Sequence, residues 1–159
     1  MRRGSSSRTP PPAWRGRGPD RAPPSPPDSR AQVHKDRAGR AQIYRMPVTG
    51  GRAERLSFEG RSNARASYSP DGKQLVLVHQ DEAGFRIATM DLETKRMNIH
   101  SAGPLDESPS FAPNGVVIIY SASGRQGAEL ATVAIDTGIE TRLRQEGDVR
   151  EPAWSPFHK

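Results

Sequence analysis

The side chains best suited to chemistry in this chain are four histidines and one pair of adjacent carboxylates. His34, His79, His100 and His158 stand apart in the sequence. No two of them have the i, i+4 or short-loop spacing that is typical of zinc ligands. The chain contains no cysteine, which excludes disulfides and thiolate ligands. We therefore expect neither a metal site nor a bound cofactor.

Asp106 and Glu107 could in principle act as a general acid and base. Neighbouring residues of an extended segment point to opposite sides, however, so the two carboxylates would not face one substrate. We interpret them as hydrogen-bonding or partner-contacting groups of a loop. The chain also lacks a Gly-x-Ser-x-Gly nucleophile motif and a phosphate-binding Gly-Lys-Ser or Gly-Lys-Thr loop. The sequence predicts no enzyme and no small-molecule substrate.

A repeat supplies the elements that position these residues. The segment SYSPDG at residues 67–72 returns as SFAPNG at 110–115 and, in shorter form, as AWSP at 153–156. Its aromatic residues Tyr68, Phe111 and Trp154 lie 43 positions apart. A period near forty residues is typical of a β-propeller, in which each period forms one four-stranded blade. We assign the aromatics to packing between blades, and the Asp-Gly and Asn-Gly pairs to tight turns.

The segments between these motifs predict the strands of two complete blades. Residues 74–78 and 116–120 are short apolar runs without alternation, as expected of strands covered on both faces. Each run is followed by a partly alternating strand and then by a more polar fourth strand. The alternating strands are predicted at 85–90 and 129–135, and the polar ones at 96–99 and 141–144.

Partial blades flank these two. Residues 42–46 and 54–57 predict the outer two strands of a preceding blade, for whose inner two strands the sequence offers no candidate. Residues 153–157 predict one inner strand of a following blade. The fold class is therefore all-β, an incomplete propeller of about eleven strands. Because unpaired edges and apolar faces remain, we expect the isolated chain to aggregate, oligomerise or be degraded.

Residues 1–35 differ in composition from the rest of the chain. Residues 1–33 hold seven arginines against two aspartates, together with eight of the fifteen prolines. Their net charge of +5 is most of the total of +6, so the repeats are nearly neutral. Such a stretch buries too little to offset the entropy of ordering. We predict a disordered tail at 1–35 and a partial propeller at 36–159.

Neither export nor membrane insertion is predicted. The positively charged start runs into three prolines at 10–12, where a secretory signal needs an apolar stretch of about 7–15 residues. The longest apolar run, residues 116–120, has five residues, and a membrane span needs about 18 or more. A chain made as written would stay in the cytoplasm.

The repeat units resemble the TolB family over residues 36–157. The resemblance is carried by residues 36–46, 68–73, 103–115 and 151–157, and its most specific parts are the string from Leu105 to Gly115 and the final Ala-Trp-Ser-Pro-Phe. It implies a periplasmic protein of the Tol-Pal cell-envelope system, associated with outer-membrane integrity and cell division. The implied partners are the peptidoglycan-associated lipoprotein Pal and other Tol proteins.

The chain also departs from that family. The resemblance implies a signal peptide, an N-terminal α/β domain and a six-bladed propeller, and this sequence shows neither of the first two and less than half of the third. We interpret it as the product of a truncated or frameshifted gene. Two alternatives remain open: a regulatory propeller of a prolyl-oligopeptidase-like peptidase, whose relatives use similar Ser-Pro-Asp-Gly repeats, and a nucleic-acid binder that uses the basic tail. The nearly neutral repeats argue against the second.

The candidate binding residues lie in the loops between the predicted blades. Loops at 60–65, 103–107 and 146–151 should meet at one rim of the propeller, where a rigid frame presents them to a partner. Their mixed charges suit the orientation of a protein better than catalysis. The predicted contact residues are Arg61, Asn63, Arg65, Asp106, Glu107, Asp148 and Arg150.

Overall fold

The computed structural model describes residues 29–35, 39–125, 127–143, 145, 147 and 149–154. These residues form eleven β-strands in three antiparallel sheets. Within these ranges no helix is long and apolar enough to cross a membrane. The predicted all-β, incomplete propeller is confirmed.

Two sheets are complete four-stranded blades with their strands in chain order. The second sheet consists of β4 (Ser62–Tyr68), β5 (Gln74–Asp81), β6 (Gly84–Asp91) and β7 (Met97–Ile99). The third consists of β8 (Glu107–Phe111), β9 (Val117–Ser123), β10 (Ala128–Ala134) and β11 (Glu140–Leu143). Both blades therefore lie where the repeat predicted them.

The first sheet corrects the sequence analysis. It has three strands, β1 (Ser29–Lys35), β2 (Ala41–Pro47) and β3 (Glu54–Arg55), where two were expected. β1 falls in the segment assigned to the disordered tail, and it pairs with β2 along its whole length. The last proline of the tail is Pro27, so residues 29–35 keep every backbone N–H group that a strand requires. Residues 1–28 lie outside the described part of the chain.

Tight turns join the inner strands of both blades as the motif predicted. Gly72 and Gly115 have φ angles of 70° and 74°, in the left-handed region that glycine adopts without steric cost. The N–H of Gly72 donates to the carbonyl oxygen of Ser69 at 2.8 Å, and that of Gly115 to Ala112 at 2.9 Å. The turn therefore repeats in geometry as well as in sequence.

The core lies between the sheets. Val76 and Val78 of β5 belong to a buried cluster with Phe111, Ile118 and Tyr120 of the third sheet. Leu75 and Leu77, which alternate with those valines, belong to a second cluster with Ile43 of the first sheet and with Leu56, which follows β3. Residues 75–78 are all apolar because both faces of β5 are covered, one by each neighbouring sheet.

The repeated aromatics are not all buried. Phe111 is 8% exposed, and Tyr68 packs against the second cluster. Trp154 is 40% exposed, which corrects its assignment to the core. Among the residues that the structure describes, no sheet lies on the far side of Trp154 to cover it.

Consecutive blades are joined by the same backbone contact. In the second blade, Phe85 donates its N–H to Pro104 at 2.9 Å and accepts from the N–H of Asp106 at 2.8 Å. In the third, the carbonyl oxygen of Ala128 accepts from the N–H of Val149 at 3.3 Å. This link draws the start of each innermost strand onto the preceding blade, and β8 accordingly packs against β4, β5 and β6.

Candidate partner-binding rim

A β-bulge interrupts the innermost strand of each complete blade. The β4–β5 register shifts between Ala64 and Ser67, and the β8–β9 register shifts between Glu107 and Ser110. Bulges of this kind bend a strand and re-aim its side chains, often beside functional sites. The start of each innermost strand is therefore shaped differently from the regular ladder that follows it.

Residues with positive φ mark the same position in three successive repeats. The φ angles of Arg65, Ser108 and Glu151 are 52°, 56° and 48°, and the three residues are 43 positions apart. A non-glycine residue in this region is uncommon. Residues 149–154 therefore repeat, at Glu151, the left-handed residue that β4 and β8 carry at the corresponding position.

These three positions converge in space. Arg65 Nη1 and Glu151 Oε1 form an ion pair at 2.9 Å although the two residues are 86 apart in sequence. Both side chains are exposed, so the pair adds little to stability. The pair nevertheless shows that the first and third of these positions meet, and Ser108 lines the same cleft as both of them.

An apolar groove opens at this rim. We call it the rim groove. It has a cavity volume of about 230 Å³ and is lined by Ser62, Ala64, Arg65, Val78, Phe85, Leu105 and Glu107. Leu105 is 62% exposed and Phe85 is 38% exposed. An adjacent cleft of about 320 Å³ shares Arg65 and Glu107 with the groove and extends to Arg150 and Glu151.

Four of the predicted contact residues are exposed in this region. Arg65, Glu107 and Arg150 line the groove or its adjacent cleft. Arg61 is exposed just before β4, where its N–H donates to the carbonyl oxygen of Gln80. Asp148 lies outside the described residues. The structure thus gathers charged side chains from three repeats around an apolar surface.

Asn63 is a correction, because its side chain is fully buried. Its Nδ2 donates to the carbonyl oxygen of Glu59 at 2.7 Å and to Gln42 Oε1 at 3.2 Å. Gln42 Oε1 also accepts from the hydroxyl of Ser57 at 2.7 Å. Asn63 therefore fastens the second blade to the first and presents nothing to a partner.

Asp106 is the second correction, and it is also fully buried. Its Oδ2 accepts from the N–H of Gly103 at 2.9 Å, and its Oδ1 accepts from the N–H of Ser123 at 3.0 Å. Asp106 follows Asn63 by 43 positions, so both repeats place a buried polar residue at this point. It holds the loop at 103–107 in place and leaves Glu107 exposed.

His79 completes the network around Asn63. Its Nδ1 lies 2.9 Å from Asn63 Oδ1. Since the amide nitrogen of Asn63 is already donating, Oδ1 must accept here, and the proton sits on Nδ1 of a neutral imidazole. Burial lowers the pKa of His79 below its ordinary value, and the nearby Arg86 lowers it further. The structure therefore holds His79 in its neutral form.

Sequence reasoning missed three residues of the rim, namely Phe85, Leu105 and Glu151. The period carried a signal for Glu151, which occupies the position of Arg65 two repeats later. No comparable signal pointed to Phe85, whose proximity to Leu105 depends on the backbone link between blades. In the described ranges, no group of three or more His, Cys, Asp or Glu residues is placed to hold a metal ion.

Comparison with known proteins agrees with this architecture. Residues 14–158 match the family described as the TolB beta propeller domain. The Tol-Pal system protein TolB of Nitrosospira multiformis is 43% identical over 120 residues, which is 73% of this chain and 28% of that protein. The chain thus spans little more than a quarter of the length of this curated relative.

Solved structures show the same fold. TolB from Acinetobacter baumannii superimposes with a TM-score of 0.70 at 36% identity, over 79% of this chain and 34% of that one. The tricorn protease superimposes with a TM-score of 0.59 at 16% identity, over 77% of this chain and 12% of that one, a likeness in fold alone. The repeat, the blades and the match to the family model together show that this chain belongs to the TolB β-propeller family.

Proposed function

We propose that this chain is a protein-interaction scaffold of the Tol-Pal cell-envelope system and that it binds its partner at the rim groove. The observation that carries the proposal is the exposure of Leu105 and Phe85 between the charged side chains of Arg65 and Glu107. An apolar centre within a polar rim is typical of protein interfaces. The blades hold this surface rigidly, which limits the entropy lost on binding.

The proposed partner is a Pal-like peptidoglycan-associated lipoprotein, and the proposed compartment is the periplasm. Relatives named as Tol-Pal system proteins support this assignment. The proposed role is in outer-membrane integrity and cell division. Because the chain spans only part of those relatives, the partners of the whole protein are carried over here as part of the proposal.

The arrangement of the two carboxylates at the rim fits a binding function better than a catalytic one. Both carboxylate oxygens of Asp106 accept hydrogen bonds inside the protein, while the neighbouring Glu107 is exposed. The two groups therefore cannot act on one bond as an acid and a base.

The test is a titration of the soluble domain of Pal, from the organism that encodes this chain, into the purified 159-residue chain by calorimetry. Leu105→Ala removes the most exposed apolar side chain of the groove, and Arg65→Glu reverses a charge at its edge. We expect each variant to raise the Kd about tenfold or more, as is usual for residues at the centre of an interface.

The matched control is Arg96→Glu. Arg96 is exposed in the turn between β6 and β7, at the opposite rim, and its reversal changes the net charge of the chain by as much as Arg65→Glu does. An unchanged Kd for both Leu105→Ala and Arg65→Glu, with Pal bound by the wild type, would remove the rim groove from the interface. No binding by the folded wild type would refute the proposed partner.

A further inference from the structure

Arg65 belongs to both cavities of the rim. It lines the rim groove together with the exposed Leu105, and it lines the adjacent cleft together with Glu151. Arg65 lies within the bulge of β4 and has a left-handed φ of 52°. A bulge re-aims the side chains that it carries. The guanidinium of Arg65 is therefore available to a ligand in either cavity.

The carboxylate of Glu151 reaches Arg65 from the side of the cleft. Glu151 lines the cleft and is not among the residues that line the groove. Its Oε1 accepts from Arg65 Nη1 at 2.9 Å, which joins one oxygen to one nitrogen. A guanidinium carries five N–H donors and binds a carboxylate most strongly in a bidentate arrangement. The pair therefore uses only part of what Arg65 can offer an anion.

The ion pair between Arg65 and Glu151 is easily displaced. The two side chains are 50% and 73% exposed, and an exposed pair contributes little because water and salt screen its charges. A partner that covers Arg65 excludes water from it, and the attraction between opposite charges rises as the local dielectric constant falls. A carboxylate delivered by the partner thus has little to overcome at this position.

We propose that Glu151 is an internal competitor for Arg65, and that the partner segment bound at the rim carries a large apolar side chain beside a carboxylate. This inference rests on the proposed function of the rim groove. The apolar side chain would lie on Leu105 and Phe85, which are exposed in the groove. The carboxylate would take Arg65 from Glu151. Glu151 therefore lowers the affinity for the partner.

Glu107 sets the direction in which the segment lies. It is exposed, and like Arg65 it lines both the groove and the cleft. Like charges that meet across an interface are strongly unfavourable, so the partner carboxylate is kept away from Glu107 and directed to Arg65. A basic side chain would be repelled from Arg65 for the same reason. The observation that favours a carboxylate is that Arg65 already binds one, that of Glu151.

The competition is tested with three variants of the 159-residue chain, namely Glu151→Gln, Arg65→Gln and the two combined. Each is titrated with the soluble domain of Pal by calorimetry. Glu151→Gln keeps the size of the side chain and removes its charge. We expect it to lower the Kd about two- to fivefold, the range that corresponds to the release of an exposed ion pair. In the Arg65→Gln chain the same substitution should leave the Kd unchanged, because no guanidinium remains to be released.

The matched control is Glu54→Gln. Glu54 pairs with Arg45 at 2.6 Å, and both side chains are partly exposed. Neither residue lines the groove or the cleft. The control therefore removes the same charge from the same kind of pair elsewhere on the chain, and its Kd should equal that of the wild type. An equal gain in affinity for Glu54→Gln and Glu151→Gln would assign the effect to net charge and refute the competition.

The partner carboxylate is identified by neutralising the exposed carboxylates of Pal one at a time, aspartate to asparagine and glutamate to glutamine. For one of them, the Kd with the wild-type chain should rise several-fold, whereas the Kd with the Arg65→Gln chain should not change. Such coupling is the mark of two groups in contact. If every neutralised Pal affects both chains equally, no carboxylate binds Arg65 and the proposal is overturned.

The outcomes separate this inference from the proposed function. If Leu105→Ala weakens Pal binding while Glu151→Gln leaves the Kd unchanged, the competition is refuted and the rim groove keeps its proposed function. Weaker binding by Glu151→Gln would show that Glu151 is itself a contact, which also refutes the competition. If Pal does not bind the folded wild type, the proposed function fails and this inference fails with it.

Discussion

At the scale of single residues, the polar side chains that support the rim are more informative than those that face solvent. Asn63 and Asp106 are fully buried, and each joins two parts of the chain that lie far apart in sequence. A buried polar group deprived of its partner costs about 1–3 kcal/mol. We therefore expect these residues to affect the proposed binding only through the shape of the rim, by holding Arg65 and Glu107 in place.

His79 gives this network a pH dependence. Its pKa in the folded chain lies below the ordinary value of 6.5, so the unfolded chain takes up the proton first as the pH falls. The free energy of unfolding contributed by His79 should be constant above about pH 6.5 and should fall as the pH decreases toward the lowered pKa. Chemical denaturation of the wild type and of His79→Gln between about pH 7 and 5 measures the effect.

We expect a smaller loss of stability over this range in His79→Gln than in the wild type, because glutamine does not titrate. The pKa of His100 is also lowered by burial, but His100 is present in both proteins and its effect cancels in the comparison. Equal slopes in the two proteins would show that His79 contributes no pH dependence.

At the scale of the strand, the bulge sets the shape of the rim. Arg65, Ser108 and Glu151 hold their positive φ angles without being glycine, at a cost of roughly 1–2 kcal/mol per residue for an L-amino acid. The backbone links between blades hold the segments on either side and impose this conformation. Strain of this kind persists only where the surrounding structure over-determines it.

Replacing Ser108 with glycine tests the strain. Glycine adopts a φ of 56° without a steric penalty, so Ser108→Gly should raise the free energy of unfolding by about 0.5–1 kcal/mol. Ser110→Gly is the matched control in the same strand, at a position where φ is not positive. It should lower stability by about the same amount. Urea denaturation measures both variants, and a destabilised Ser108→Gly would show that the serine is not strained.

At the scale of the whole molecule, the buried apolar contacts that stabilise the fold are formed between adjacent sheets. Val76 and Val78 share one buried cluster with Ile118 and Tyr120 of the next blade, so these two blades have a core in common. In such an array, stability is a sum over neighbouring units and their interfaces. The second and third blades should therefore unfold together.

The prediction is tested with Ile118→Ala. Ile118 is fully buried, and truncation of a buried isoleucine costs about 2–5 kcal/mol. Hydrogen exchange should show lost protection in β5 and β6 of the neighbouring blade as well as in β9. The control, Val116→Ala, changes an exposed residue and should alter stability by less than about 0.5 kcal/mol. Protection unchanged in β5 would show that the blades are independent.

Much of the fold could be predicted because the repeat is local. The apolar runs, the Asp-Gly and Asn-Gly turns and the aromatic positions all act over a few residues, and the structure confirms the two blades they predicted. The strand at 29–35 was missed because the prolines before it dominated the composition of that region. Only pairing with β2 distinguishes it from the tail.

The candidate site was harder to predict, because exposure depends on the neighbouring blade. Asn63 and Arg65 are two residues apart and both polar, yet one is buried against Gln42 and the other is exposed at the rim. The spacing placed both residues in the right region of the propeller. It could not say which of the two would be exposed.

The sequence by itself determined the period, the turns and the class of fold, because these follow from the type and spacing of neighbouring residues. Tertiary structure alone decided which side chains meet at the rim, such as Arg65 with Glu151. It also decided which polar groups are buried and hydrogen-bonded within the protein, such as Asp106. The physical reason is that these contacts join residues of different repeats, whose distance is set by the packing of one blade on the next.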